Sequence, residues 1–440
     1  MSNTPDVLDI AGIGFGPSNV ALAIALKEEH AADSLRLAFF EKSPHFSWHR
    51  NMLLPGAKMQ VSFVKDLATF RNPATRFSFL AYLHQMGRLP QFVNHSDFFP
   101  TRHEFHGYLE WAAAQVADQV SYSALVTGLH VPPSGVSGTI DHLDVDFDGH
   151  DGDRISARNI VLAVGLKPRM PEGVQIGPRA WHSSQFLQGI QAFQSGTAKR
   201  FVVVGAGQSA AEIVRYLWDQ FPEARITSVL TPYGYSIADN TPFANQVFDP
   251  DAVDAFYYAQ TPGRDAIWRY HRNTNYAVVD EEVARDLHQR IYDDNVAGRN
   301  RVDFLNLCKL SAVTETDDHV DVRVDSLATG EQTSIEADAV ICATGYESMD
   351  TRHLLDAVEP YLLRDANGAL QIGRDYRLMT TPELEAGIYL QGGTEHSHGI
   401  TSSLLSNIAV RSGEIAQSIV QRCSARTADA SRQHYAVHAP

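Results

Sequence analysis

Cysteine and positive charge are both scarce in this sequence. Only three cysteines occur in 440 residues, and Cys308, Cys342 and Cys423 form no Cys-x-x-Cys pair. This spacing argues against a redox-active dithiol and favours a reducing, cytoplasmic setting. Acidic residues outnumber basic residues by 52 to 36, and the resulting net charge of −16 argues against nucleic acid or an anionic membrane as a partner.

Long apolar runs are also missing. No stretch of the sequence reaches the roughly 20 apolar residues that a membrane-spanning helix needs. Residues 1–9 carry acids but no basic region, so no signal peptide is predicted. Hydrophobic residues nevertheless make up 44% of the chain, and its length is enough for two or three globular domains with a large core.

What the sequence does have is a glycine cluster within residues 7–19. An apolar run ends in Gly12, Gly14 and Gly16, and an alanine-rich helical segment follows, so the order predicts strand, tight turn and helix. We interpret Gly12 as the residue of the turn and Gly14 as the point where a pyrophosphate approaches the backbone. Pro17 then stands in the position of the third small residue, in the first helical turn where proline is tolerated.

An acidic residue follows at the expected distance. The next predicted strand, residues 35–40, ends in Glu41, whose carboxylate can accept hydrogen bonds from a ribose diol. Strand, glycines, helix, strand and acid in this order favour a dinucleotide site over a glycine-rich turn in an ordinary α/β domain.

The same pattern returns in residues 200–212. Gly205 and Gly207 follow an apolar strand, and Ala210 fills the third position, where close packing needs a small residue. The following strand ends at Thr231 and not at an acid, so no carboxylate would repel a 2′-phosphate and NADPH is favoured over NADH. Two such motifs predict two nucleotide domains, one for a flavin that stays bound and one for a nicotinamide that delivers hydride to it.

Three further features leave alternatives open. Lys65 is set among apolar residues, where a snorkelling surface lysine is the competing interpretation. His396 and His398 fall in a loop with no third ligand in sight, so no metal site is predicted. The polar residues after Ser424 predict a frayed tail.

Taken in order, the motifs resemble those of the flavin-dependent N-hydroxylating monooxygenases, specifically the L-ornithine N5-monooxygenases, over roughly residues 7–422. The motifs that carry the resemblance are Gly12-x-Gly14-x-x-Pro17-x-Asn19, Trp48-His49, Met59-Gln60-x-x-x-x-Lys65-Asp66, Gly205-x-Gly207-Gln208-Ser209-Ala210, Asn245-Gln246-Val247-Phe248, Asn275-Tyr276, Ala343-Thr344-Gly345-Tyr346 and Ser403-Leu404-Leu405-Ser406.

The resemblance implies an activity. FAD, NADPH and O₂ would hydroxylate the side-chain amine of L-ornithine at N5 through a flavin C4a-hydroperoxide, for siderophore or peptide natural-product biosynthesis. The alternative is the same reaction on L-lysine or on a diamine such as putrescine or cadaverine. The resemblance also implies a homo-oligomer, specifically a tetramer.

The resemblance further implies roles for individual residues. The catalytic set is Gln60, Lys65 and Asn275. FAD contacts would come from Gly12, Gly14, Pro17, Glu41, Lys42, Trp48, His49, Gln60, Val126, Ser403, Leu404 and Leu405. NADPH contacts would come from Gly205, Ala206, Gly207, Gln208, Ser209, Thr231, Asn275, Tyr276 and Ala277. Substrate contacts would come from Lys65, Asn245, Gln246, Val247, Phe248, Asn275 and Ser406. Thr231 departs from the pattern, since many relatives carry arginine there.

The predicted fold is therefore α/β, with two Rossmann-like dinucleotide-binding domains and a small helical substrate-binding insertion. The predicted segments are 1–167 and 344–440 for the FAD-binding domain with the C-terminal tail, 168–238 and 297–343 for the NADPH-binding domain, and 239–296 for the insertion.

Two other classes compete with this interpretation. Another two-nucleotide flavoenzyme is disfavoured, because a disulfide reductase needs a cysteine pair and a Baeyer–Villiger or sulfur oxygenase would not require the amides around Asn245 and Asn275. A non-catalytic flavin-binding sensor would need neither the NADPH motif nor the insertion. Oxygen uptake that rises with one amine separates these classes.

Overall fold

The structure is a computed structural model that describes residues 7–133, 138–148, 154–194 and 199–437, with side chains described up to Thr427. The strands in these ranges are β1 Leu8–Ile13, β2 Leu37–Glu41, β3 Val120–Tyr122, β4 Val126–His130, β5 Leu143–Phe147, β6 Arg154–Leu162, β7 Leu166–Pro168, β8 Ala180–His182, β9 Arg200–Val204, β10 Arg225–Val229, β11 Val302–Leu305, β12 Cys308–Glu315, β13 Val320–Ser326, β14 Gln332–Ala337, β15 Ala339–Cys342, β16 Tyr346–Ser348 and β17 Gly387–Leu390. The helices are α1 Pro17–Glu28, α2 Phe79–Gln85, α3 Leu89–His95, α4 Arg102–Ala114, α5 Phe186–Ile190, α6 Gln208–Gln220, α7 Pro242–Asn245, α8 Pro250–Tyr257, α9 Thr261–His271, α10 Glu281–Val296, α11 Arg352–Leu355, α12 Glu395–His398 and α13 Ile408–Val437.

Two separate sheets carry the two glycine motifs. The first has the order β3-β2-β1-β6-β5-β4, with β17 pairing β6, and β1 lies parallel to both β2 and β6. The second has the order β11-β10-β9-β15-β8 and is parallel at every pairing. A three-stranded antiparallel sheet, β12-β13-β14, and a two-stranded pair, β16-β7, complete the sheets of the described residues. The predicted α/β class with two Rossmann-like units is confirmed.

The helices that follow the two glycine motifs pack against different neighbours. In α1 the residues Asn19 to Leu26 are all buried, because α1 packs between the first sheet and α13. Helix α6 is amphipathic and buries Ala210, Ile213 and Leu217 against β9 and β10. Helices α7 to α10 interrupt the second sheet between β10 and β11 and form the helical insertion.

The C-terminal end differs from the expectation. The tail predicted to fray after Ser424 continues helix α13 to Val437, since polar residues do not by themselves end a helix that is already nucleated. No helix in the described part of the chain is long and apolar enough to cross a bilayer.

Candidate active site and cofactor-binding sites

The first glycine turn lies where β1 meets α1. Gly14 has a φ of +82°, and a Cβ placed there would lie 2.4 Å from the carbonyl oxygen of Ala163. Gly16 caps α1, and a Cβ there would have no atom within 4 Å. Gly12 lies inside β1, where a Cβ would meet the Phe39 ring at 2.2 Å. The roles that the sequence suggested for Gly12 and Gly14 were therefore wrong by two residues: Gly14 forms the turn and Gly16 leaves the open space.

The second turn shows why this register is correct. Gly205 has a φ of +137° and would place a Cβ 2.2 Å from the carbonyl oxygen of Ala343, while Gly207 caps α6 with its nearest neighbour, the Ala277 Cα, at 3.8 Å. Gly205 and Gly207 thus correspond to Gly14 and Gly16.

The third position of the first motif shifts with the register. Ala210 corresponds to Asn19, which is fully buried and donates from Nδ2 to the Gly14 carbonyl at 2.7 Å. Pro17, which the sequence placed in the third position, is the first residue of α1. Proline at this position is compatible with the helix because the first-turn N–H has no intrahelical partner.

Glu41 holds the first turn through backbone groups. Its carboxylate accepts hydrogen bonds from the Phe15 and Ser43 N–H groups, both at 2.8 Å. The Glu41 carbonyl accepts from Ala124 N–H at 2.9 Å, which brings the start of β4, and with it buried Val126, next to Glu41. Lys42 is exposed beside them.

Trp48 and His49 pack against each other in the loop that follows β2. Their ring centroids lie 4.6 Å apart in an edge-to-face arrangement, and His49 has a left-handed backbone with φ of 48°. Desolvation by the surrounding protein, with Arg102 and His106 nearby, lowers the pKa of His49 to about 4. The residue is nevertheless exposed to solvent, and its ring centroid lies 6.0 Å from that of Tyr346.

Lys65 meets the helical insertion. Its Nζ lies 5.8 Å from the ring centroid of Phe248 and 5.9 Å from that of Phe70. Desolvation lowers the pKa of Lys65, and Asp249 opposes the shift. Lys65 is half-buried, and its contact with Phe248 favours the functional interpretation over the snorkelling one.

A third segment, residues 400–406, packs against the part of the insertion that contains Phe248. Val247 and Phe248 pack with Ile400, and Leu404 packs against this cluster. The hydroxyl of Ser406 is buried and has no hydrogen-bond partner among the described residues. Such an atom is costly unless a ligand or water completes it. Leu405 begins the short 3₁₀ turn that contains Ser406.

The rest of the predicted substrate segment is less enclosed. Asn245 donates from Nδ2 to the Asn240 carbonyl at 3.0 Å, and Gln246 is exposed.

The segment from Asn275 to Ala277 reaches the second turn. Ala277 has a φ of +57° and is the residue nearest to the Gly207 position. Asn275 is half-buried. Tyr276 lies 6.0 Å from Trp268 between ring centroids, and burial with Glu395 nearby raises its pKa. Because Ser403 donates to the Glu395 carboxylate, Tyr276 connects the second turn to the Ser403 loop.

The remaining predicted nicotinamide contacts lie along α6 and after β10. Ala206 lies between the two glycines, and Gln208 and Ser209 begin α6. Thr231 is exposed two residues beyond β10, and the Gly205 N–H donates to the Val229 carbonyl at 3.0 Å.

The histidines considered for a metal bond to the backbone. The His396 Nε2 lies 3.0 Å from the Leu370 carbonyl oxygen, and the His398 Nε2 lies 3.2 Å from that of Arg374. The described residues contain no cluster of three or more His, Cys, Asp or Glu that could hold a metal ion.

The model of the family described as L-lysine 6-monooxygenase/L-ornithine 5-monooxygenase matches residues 6–348. The chain belongs to this family. An L-ornithine N(5)-monooxygenase of Pseudomonas aeruginosa is 36% identical over 442 residues, covering 99% of this chain and 98% of that protein. The ornithine N-hydroxylase of Kutzneria sp. 744, solved with reduced FAD, NADP⁺ and L-ornithine, is 51% identical with a TM-score of 0.91, covering 94% of this chain and 99% of that one. The L-lysine 6-monooxygenase of Pseudomonas syringae is 34% identical with a TM-score of 0.83, covering 94% and 99%.

Sequence reasoning missed a buried ion pair in this member of the family. Both terminal nitrogens of Arg102 bond the carboxylate of Glu212 at 2.9 Å, and Glu212 is 2% exposed. A sequence signal existed, because Glu212 stands among the apolar positions of a predicted helix, where a lone acid implies a partner. The partner itself lies 110 residues away, and no local pattern in the sequence indicates it.

Proposed function

We propose that this protein is an L-ornithine N5-monooxygenase that uses FAD, NADPH and O₂. The observation that carries the proposal is the approach of the Lys65 Nζ to the Phe248 ring. Phe248 belongs to the cluster against which Leu404 packs, two residues before Ser406 with its unpartnered hydroxyl. Three segments that the resemblance assigns to substrate and flavin thereby face one another. The Kutzneria relative, which was solved with L-ornithine, supports ornithine as the substrate.

The two turns fit the two nucleotides. Gly16 and the N-terminus of α1 leave room for the FAD pyrophosphate, and Gly207 and the N-terminus of α6 leave room for that of NADPH. Trp48, His49 and the Ser403–Leu405 loop would enclose the flavin ring, and Asn275, Tyr276 and Ala277 would contact the nicotinamide side. FAD, once reduced by NADPH, would supply the activated oxygen.

The protein's own residues have two tasks in this reaction. Apolar Val247, Phe248 and Leu404 would exclude water from the site. The second task is to favour the uncharged substrate amine, whose ordinary pKa is about 10. Desolvation beside the cationic Lys65 would lower that pKa, and the same ammonium would pair with the substrate carboxylate.

Lys65→Ala tests the proposal. A charged, partly desolvated contact contributes roughly 1.5–3 kcal/mol, so the KM for L-ornithine should rise about tenfold or more. NADPH oxidation should continue, with hydrogen peroxide replacing hydroxylated product. Oxygen uptake, peroxide and hydroxylamine are measured in parallel on L-ornithine and putrescine.

Lys309→Ala serves as the control, because Lys309 is an exposed lysine on the separate sheet β12-β13-β14. It should leave all three readouts unchanged. Equal turnover of putrescine and ornithine by the wild type, or an unaffected Lys65→Ala variant, would refute the role given to Lys65.

A separate experiment tests which amines the protein hydroxylates. Mass spectrometry of products from ornithine, lysine, putrescine and cadaverine distinguishes the proposed substrate from its alternatives. A product from lysine or a diamine, with none from ornithine, would overturn the ornithine assignment and leave the family assignment intact.

The assembly, the cellular location and the pathway of this protein are also proposals. We propose a cytoplasmic homotetramer that serves siderophore or peptide natural-product biosynthesis, on the family resemblance and on the free cysteines. Light scattering coupled to size-exclusion chromatography tests the tetramer.

A further inference from the structure

A continuous chain of polar contacts joins the Gln60 segment to the helix of the second turn. Gln60 Nε2 donates to Asp280 Oδ1 at 3.1 Å, and the Asp280 N–H donates to Gln208 Oε1 at 2.8 Å. Gln208 Nε2 donates to Glu212 Oε1 at 3.0 Å, and Glu212 receives the Arg102 guanidinium. Asp280 is thus the member that touches both Gln60 and α6.

The direction of each hydrogen bond in this chain is fixed by chemistry. Arg102 only donates, so the Glu212 carboxylate only accepts, and Gln208 must turn its NH₂ group toward Glu212. The Gln208 carbonyl oxygen then faces the backbone N–H of Asp280, which is also an obligatory donor. Burial raises the pKa of Asp280, but in its ionised form its carboxylate only accepts, so Gln60 then presents its NH₂ group to Asp280.

This leaves the Gln60 carbonyl oxygen on the side away from Asp280. We propose that Asp280 is a positioning residue that orients the Gln60 amide so that its oxygen faces the flavin. The inference rests on the proposed function, in which Gln60 contacts FAD. An oxygen in that place accepts a hydrogen bond from a flavin N–H or a substrate amine, and an NH₂ group there would repel the same donors.

Asp280→Asn removes the preference for this orientation without emptying the position. Asparagine has nearly the same shape, but it can accept from the Gln60 NH₂ through its oxygen or donate to the Gln60 oxygen through its own NH₂, so both orientations of the Gln60 amide become available. Asp280→Ala removes the contact and leaves Gln60 free to rotate. The backbone N–H that bonds Gln208 is present in every variant.

The readouts are the fraction of oxidised NADPH that yields hydroxylated ornithine and the absorbance spectrum of the bound flavin. We expect Asp280→Asn and Asp280→Ala each to lower the coupled fraction about fivefold and to shift the flavin spectrum, because each removes the partner that can only accept. A purely structural role predicts that Asp280→Asn, which keeps the shape, couples like the wild type. Coupling in Asp280→Asn equal to that of the wild type would overturn the proposal.

Glu282→Gln is the matched control. It makes the same change of acid to amide in the first turn of the same helix, where Glu282 forms an exposed ion pair with Lys58 at 2.9 Å. Coupling and flavin spectrum should match the wild type. An equal loss in Glu282→Gln would attribute the effect to charge alone and overturn the orienting role.

A double variant isolates the route through Gln60. On a Gln60→Ala background, Asp280→Asn should have no further effect on coupling, because nothing remains to be oriented. The same loss on both backgrounds would refute the inference. If the wild type hydroxylates no amine, the proposed function fails, and the flavin spectra of the same variants still decide whether Asp280 orients Gln60.

Discussion

The two glycine turns share a pattern but have different supports. In both, a glycine of positive φ lies against a carbonyl oxygen just beyond the end of the neighbouring strand, and a second glycine caps the helix. The first turn is held by buried Asn19 of α1 and by Glu41 at the end of β2. Gln391 adds a further bond, from Nε2 to the Asn19 side chain at 3.1 Å. The second turn is bordered by the insertion, through Ala277 and Asp280.

This difference matches the proposed tasks of the two nucleotides. The hydrogen bonds of Asn19, Glu41 and Gln391 tie the first turn to α1, to β2 and to the residue after β17. The residues that border the second turn sit on a separate helical segment, whose packing can change with less disturbance to the sheet. We infer that the first turn suits a cofactor that stays bound and the second a cofactor that exchanges at every turnover.

The largest expected effect comes from replacing the two glycines of the first turn one at a time. Gly14→Val should fail to give soluble protein, because its Cβ meets the Ala163 carbonyl at 2.4 Å on a backbone of positive φ. Gly16→Val should fold but lose FAD, because its side chain would enter the space left for the pyrophosphate. Soluble yield, thermal midpoint and flavin content per protein are the measurements.

Gly207→Val extends the comparison to the second turn. It should retain FAD and raise the KM for NADPH at least about tenfold, a loss of roughly 1.4 kcal/mol of binding. Normal flavin content in Gly16→Val, or loss of flavin in Gly207→Val, would contradict the assignment of the first turn to FAD and of the second to NADPH.

The register error shows where sequence reasoning reaches its limit. Gly12, Gly14 and Gly16 alternate, so several pairs fit a Gly-x-Gly pattern, and only the pairing of β1 to Ile13 decides which pair follows the strand. The second motif has only Gly205 and Gly207, and there the prediction needed no shift. The fold followed from strand, turn and helix order.

The polar chain through Asp280 could not be predicted from the sequence, for another reason. Its members are far apart in the sequence, with 220 residues between Gln60 and Asp280. Local periodicity carries no information about which distant side chains will meet.

A smaller effect concerns a neutral histidine that stacks on Tyr376, with 4.0 Å between the ring centroids. Burial lowers the pKa of His398 to about 4, and the side chain is 1% exposed. The pKa is thus lower in the folded than in the unfolded chain, so the stability it contributes is present above pH 6.5 and is lost as the pH falls from 6.5 to about 4. The loss is at most about 3 kcal/mol.

His398→Gln should therefore flatten the fall in thermal midpoint between pH 6.5 and 4. The control lies in the second sheet, where His182 is also buried and has a lowered pKa. His182→Gln should remove a contribution of the same sign and leave that of His398 in place. An unchanged pH profile in His398→Gln would show that the pKa of His398 is not lowered in the folded protein.

The smallest effect is expected at Thr231, where the two nucleotide regions differ in their second strands. The first region ends that strand in Glu41, which suits a ribose diol, and the second reaches exposed Thr231, where no carboxylate opposes a 2′-phosphate. NADPH should therefore be used more efficiently than NADH. Thr231→Arg adds a phosphate partner in an exposed place, where an ion pair is worth roughly 0.2–1 kcal/mol, so the KM for NADPH should fall by at most about fivefold.

The KM for NADH should stay unchanged, because NADH has no 2′-phosphate for the arginine to contact, and Thr231→Ser provides the control without added charge. The gain should shrink at high salt, since exposed charges are screened. Equal efficiency with NADH in the wild type, or an equal gain for both nucleotides in Thr231→Arg, would show that the 2′-phosphate does not lie beside residue 231.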